Sequence, residues 1–296
     1  MQTLGNRDNH LGESPFWNTR QKKLFWTDIL SGEIFSFSPY TGKQTLELSS
    51  GYQTGAFMFS EDDTLMLFTE QGVVALAKTE VGYTMSNAHK LFTVPFINGE
   101  RFNDAIADAK GRMLAGSMRK SHKEGKLYQF EMGKQPKVLL EGLGISNGMG
   151  FSPDQKTFYH TDSISRTVTA YDYNLLTGVI TNPRIFFVLD RSYGVPDGLT
   201  VNRNGQVWLA CWGGSCVLLL SPQGEIIERI DTPALQTSSV CLGDEDFKTL
   251  YITSAFEGAV DSKNASDASG RYLGGKVYYT RVACEGIPEH FVSKYS

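Results

Sequence analysis

An apolar strand, a polar turn and a second apolar strand recur six times along this chain, and no other feature restricts its fold as much. The first copy runs through Phe16-Trp17 and Lys23-Leu24-Phe25-Trp26-Thr27-Asp28, and the last through Val240-Cys241-Leu242 and Leu250-Tyr251-Ile252-Thr253. Anchored on Leu24, Leu65, Met113, Phe158, Val207 and Leu250, successive copies lie 41, 48, 45, 49 and 43 residues apart. Turn formers such as Asp108-Ala109-Lys110-Gly111 and Ser152-Pro153-Asp154-Gln155 stand between the strands, where their side chains and φ preferences favour a reversal. Third and fourth strands are visible as well, in Glu33-Ile34-Phe35-Ser36-Phe37 followed by Gln44-Thr45-Leu46-Glu47-Leu48. A period in the forties with four short strands per unit is the mark of a propeller blade. A β-sandwich also has many short strands but does not hold a period. The expectation is an all-β fold, a six-bladed β-propeller with four-stranded antiparallel blades, residues 1–296 forming a single domain.

A propeller must hide the edge of its last blade, and a strand borrowed from the other terminus does so. Met1-Gln2-Thr3-Leu4 is similar to Lys43-Gln44-Thr45-Leu46, the outermost strand of the first blade. The sequence therefore predicts that residues near Gln2 to Gly5 supply the outer strand of the last blade. His290-Phe291-Val292 is the competing candidate.

Composition removes several function classes. A formal net charge of −4 with no long basic run argues against a nucleic-acid or anionic-membrane partner. No segment approaches the ~20 apolar residues of a membrane span. Met1 to His10 is polar, unlike a secretory signal, so a cytoplasmic protein is expected, and a monomer is the weakly favoured state. Cys211, Cys216, Cys241 and Cys284 lack zinc-type spacing and read as free thiols, although Cys211 and Cys216 stand where they would face each other across a hairpin.

The first strand of each blade lines the central channel of a propeller. Ten or eleven residues before each anchor stand Glu13, Thr54, Asn103, Asn147, Asp197 and Ser239, all polar and all followed by apolar strand residues. Glu13, Asn147 and Asp197 offer two carboxylates and an amide oxygen, a set that suits a hard divalent cation. Three protein ligands leave room for water or substrate, which is what metal-assisted hydrolysis requires. The alternative reading is that these groups hydrogen-bond one another or hold channel water. Both readings fit the spacing.

Four strings add to this. Leu11-Gly12-Glu13-Ser14-Pro15-Phe16-Trp17, Arg101-Phe102-Asn103-Asp104, Ser146-Asn147-Gly148-Met149 and Pro196-Asp197-Gly198-Leu199 resemble the signature segments of the gluconolactonase, regucalcin (senescence marker protein) and luciferin-regenerating enzyme family. They occur in order on successive blades, and the resemblance runs over essentially the whole chain. It implies one divalent metal on the propeller axis and hydrolysis of sugar-acid lactones, with the metal as Lewis acid. By the same resemblance Glu13, Asn147 and Asp197 match the metal ligands, and Asp197 also the general base. Asn103 matches a residue contacting metal-bound water or substrate, and Arg101 the arginine that binds substrate oxygens, a task suited to a guanidinium fork. The metal is Ca²⁺, Zn²⁺, Mg²⁺, Mn²⁺ or Fe²⁺, all of which accept oxygen ligands of this kind.

Two departures bear on the substrate. Ala105 stands where the family usually has glycine, and Gly116-Ser117-Met118 leads into the basic run Arg119-Lys120-Ser121-His122 rather than to an acidic residue. The loops Arg119 to Glu124, Cys211 to Ser215 and Phe256 to Gly270 are expected to shape specificity, the last as a lid or a simple excursion. Trp212 is a candidate apolar wall above the metal; Trp26 and Trp208 read as interblade packing and His160 as a core residue. His122 reads as a solvated loop histidine. No glycine-rich phosphate loop that follows a strand and opens a helix occurs. The remaining alternatives are the same metal site acting on another ester such as a phosphotriester, and a non-catalytic calcium-binding propeller.

Overall fold

The computed structural model describes residues 1–5, 7–97, 99–119, 124–256 and 273–294. Six four-stranded sheets make up the chain. Five are built from consecutive strands, and every strand pairing is antiparallel. The innermost strands are Gly12–Asn18, Thr54–Phe59, Glu100–Ala107, Ser146–Phe151, Val195–Val201 and Thr237–Gly243, for blades 1 to 6 in that order. Each innermost strand touches those of the blades before and after it, and the ring closes between blades 6 and 1. Two short 3₁₀ turns, Met85–Asn87 and Arg191–Tyr193, are the helical elements among the described residues, and none of their helices is long and apolar enough to cross a membrane.

The ring is closed by the N-terminus. Gln2–Leu4 pairs with Val277–Arg281 as the outer strand of blade 6, with Leu4 opposite Val277. Leu4 is buried against Trp17, Trp26 and Tyr251, so an apolar contact as well as backbone pairing fixes the closure. The competing segment goes elsewhere. Val292 bridges Ser60 and Phe291 packs edge-on against Phe16, because the C-terminal stretch crosses the far end of the propeller. On the way it bonds to Phe247, Asn202 and Arg203, and the Ser293 amide donates to the Gly111 carbonyl.

Apolar residues fill the spaces between blades. Phe68 of blade 2 meets Phe102 and Phe130 of blade 3 edge-on, and Trp17 of blade 1 stacks at 6.0 Å on Tyr251 of blade 6. Trp26 and Trp208 are buried in such contacts. Cys211 and Cys216 lie directly opposite each other on neighbouring strands and are both free thiols.

Candidate active site

Each innermost strand carries a register irregularity at its polar residue. The shifts fall between Glu13 and Phe16, Thr54 and Ala56, Phe102 and Asp104, Asn147 and Met149, Pro196 and Leu199, and Thr237 and Ser239. A bulge inserts an unpaired residue and re-aims its side chain. The pairing skips Asn103 and Asp197 themselves in blades 3 and 5, and in the other four blades it skips the residue next to Glu13, Thr54, Asn147 and Ser239. Small residues make this possible. A Cβ on Gly55 would lie 2.1 Å from the Phe102 carbonyl, and one on Gly198 would lie 2.0 Å from Ser239 Oγ. In blade 1 the corresponding residue is Ser14, which adopts a φ of +47° and donates through Oγ to the Gly55 carbonyl at 3.3 Å.

The structure brings all five candidate residues together. Glu13, Asn103, Asn147 and Asp197 are buried and Arg101 is partly exposed. Arg101 Nη1 donates to Asn103 Oδ1 at 2.7 Å and to the Phe102 carbonyl at 2.9 Å. Asn103 Nδ2 donates to the Ser146 carbonyl at 3.1 Å, and Asn147 Nδ2 to Ser163 Oγ at 3.2 Å.

The two carboxylates are poorly served. The Glu13 carboxylate accepts a long bond of 3.4 Å from the Ser14 amide. Burial pushes its pKa well above the ordinary value, and repulsion from Asp197 and then Asp104 adds to this against the opposing effect of Arg101. Burial likewise pushes Asp197 up, Asp104 adding repulsion, while the Asn147 side chain and Arg101 oppose it. Asp197 Oδ1 is buried without a hydrogen-bond partner. Buried anions lacking donors are costly, and a divalent cation is the group that would satisfy both. The donor set fits one: two carboxylates and an amide oxygen, all hard ligands. Among the described residues no three His, Cys, Asp or Glu side chains lie close enough to share an ion. The set here has only two carboxylates, its third member being an amide, and Asp104, although its charge is felt by both, does not complete a group of three.

Asp104 is the site residue that sequence reasoning missed. Burial raises its pKa to about 7. It faces a cavity of about 80 Å³ further down the channel, lined also by Phe16, Phe57, Phe151 and Glu289. Burial and the nearby Asp104 raise Glu289 to about 7 too. The signal was present in the repeat: blades 2, 4 and 5 follow their polar residue with Gly55, Gly148 and Gly198, and blade 3 places a carboxylate there.

The inner strands begin at the site end, so the loops joining second to third strands surround that mouth. Trp212 packs against Leu11, Ile29 and Ala255 at this rim. Arg119 pairs with Glu124 at 2.6 Å, so the charge of its loop is partly balanced. Positions 120–123, with His122, and positions 257–272 of the longest loop lie outside the described residues.

The profile of the SMP-30/Gluconolactonase/LRE-like region matches residues 11–256. A pentonolactonase of Haloferax volcanii is 32% identical over 279 residues, covering 94% of this chain and 93% of that protein. Regucalcin of Gallus gallus is 29% identical over 299 residues, covering 98% and 97%. Among solved structures, a luciferin-regenerating enzyme superposes with a TM-score of 0.88 at 26% identity, covering 97% of this chain and 96% of that one.

Proposed function

Since the chain belongs to the SMP-30/gluconolactonase/LRE-like family, we infer that it is a hydrolase of cyclic esters, acting on sugar-acid lactones at the channel mouth. The observation that carries this reading is the buried, underserved pair Glu13 and Asp197 beside a guanidinium and two amides. The activity printed for the Haloferax volcanii relative, a pentonolactonase at 32% identity, supports the substrate class.

Glu13, Asn147 and Asp197 would hold one divalent cation. When bound, such a cation supplies Lewis-acid polarisation of the ester carbonyl and lowers the pKa of nearby acids. Asp197 accepts the proton of the attacking water and returns it to the ring oxygen as that oxygen leaves. Burial keeps bulk water from competing with this carboxylate. Arg101 and Asn103, fixed to each other by their 2.7 Å bond, present donors and an acceptor to the hydroxyls of the sugar acid. A purely structural ion would have no need of such a clamp.

The test is a pH-stat assay on metal-stripped protein with a panel of five- and six-carbon aldonolactones. Each divalent metal is added back, and Asp197→Asn is run alongside. Turnover restored by metal and lost in the variant is the expected result. Cation binding without turnover of any lactone would overturn the substrate class, and a phosphotriester would be tried next. Failure to bind any cation would overturn the ligand assignment.

A further inference from the structure

His160 reads from the sequence as a core residue, yet its neighbours connect it to the substrate clamp. It lies on the second strand of blade 4, Thr157–Asp162, and is buried. Its Nε2 stands 2.7 Å from Ser146 Oγ. Ser146 opens the innermost strand of the same blade and is fully buried. The Ser146 carbonyl is the acceptor for Asn103 Nδ2 at 3.1 Å, across the seam from blade 3. Asn103 Oδ1 is in turn the acceptor for Arg101 Nη1. An unbroken chain of contacts therefore runs from a buried imidazole on blade 4 to the guanidinium on blade 3.

Ser146 is confined on its other side as well. A Cβ on Gly116 would lie 2.0 Å from Ser146 Oγ, so the serine side chain occupies the space that this glycine leaves open. Burial lowers the His160 pKa to about 4. The ring is thus neutral across the physiological range and has one nitrogen to donate and one to accept. Paired with it, the Ser146 hydroxyl is held in one rotamer. Without it, a buried hydroxyl would be left unpaired and would turn to find a partner, shifting the residue whose carbonyl holds Asn103.

We propose that His160 is a positioning residue for the lactone-binding clamp, acting through Ser146 on Asn103 and Arg101. The proposal rests on the lactonase reading for its kinetic consequence, but its structural consequence stands apart from activity. A clamp that binds substrate and transition state equally affects KM rather than kcat. Removing its support should therefore raise KM.

The experiment compares His160→Leu, His160→Gln, Ser146→Ala and the His160→Leu/Ser146→Ala double variant. It measures kcat, KM and, in asparagine-labelled protein, the side-chain amide resonance of Asn103, assigned with Asn103→Asp. The expected result is a KM raised about 5- to 20-fold in His160→Leu with kcat within about twofold, and a shifted Asn103 resonance. His160→Gln, which keeps a hydrogen-bonding group, should restore both. The double variant should be no worse than the worse single one, as for residues acting in series. An Asn103 resonance unmoved by His160→Leu, or effects that add in the double variant, would overturn the proposal. Should His160→Leu fail to fold, the Ser146→Ala spectrum decides in the same way. If the wild type turns over no lactone, the amide resonance still tests the contact chain while the lactonase reading alone falls.

Discussion

A Cβ placed on Gly148 would lie 2.4 Å from the carbonyl oxygen of Asp197, so the inner strands of blades 4 and 5 touch at the residue carrying the central carboxylate. The seam between blades is backbone against backbone here, with no side chain to cushion it. Gly148→Ala must push the two strands apart. Overpacking of this kind costs about 1–3 kcal/mol, or roughly 2–5 °C in a chain of this size. Calorimetry should show that loss together with weaker cation binding by titration. Unchanged cation affinity would mean that Asp197 is positioned independently of this contact.

Replacing Asp197 by asparagine keeps the shape of the site and removes both the base and a negative charge. Turnover should fall by about 10²–10⁴. Arg101→Lys should instead raise KM with little change in kcat, since an ammonium cannot reproduce the two-pronged contact. Steady-state kinetics on the best lactone separates the two patterns. A loss of kcat in Arg101→Lys equal to that in Asp197→Asn would place the arginine in the chemistry rather than in binding.

Glu289, brought to the channel by the C-terminal stretch, should make the metal-free protein less stable as pH rises. Its pKa is raised from 4.5 to about 7, so between these values the folded state binds the proton more tightly than the unfolded chain does. The stabilisation is fully present below pH 4.5 and is lost as the pH passes 7. Glu289→Gln cannot ionise, so its melting temperature should gain on the wild type from acid to neutral pH and keep a constant lead above about pH 7.5. Parallel melting curves across that range would mean that the carboxyl reaches solvent.

The N-terminal closure is open to a direct test. Leu4→Ala removes a buried side chain packed on two tryptophans, and such truncations cost about 2–5 kcal/mol. Deleting residues 1–5 would also bare the edge of Val277–Arg281, which should promote association through that edge. Chemical denaturation and gel filtration measure the two effects. A deletion variant as stable and as monodisperse as the full chain would show that blade 6 needs no borrowed strand.

The blade count, the four-strand unit, the N-terminal closure and the polar level on the axis were all readable from residue order. Each rests on local patterning, in which alternating apolar residues make a strand, turn residues end it, and a fixed period brings the same position of every blade to the channel. The same logic located Glu13, Asn103, Asn147 and Asp197. What the tertiary structure alone decided involves residues distant in the chain: Asp104 facing Glu289 across a cavity, and Ser146 joining His160 to Asn103. Burial decides the rest, since whether a carboxylate or an imidazole is charged depends on the donors and apolar walls that other blades bring to it. A repeat dictates which residues reach the axis, but the electrostatics there arise only when the ring has closed around them.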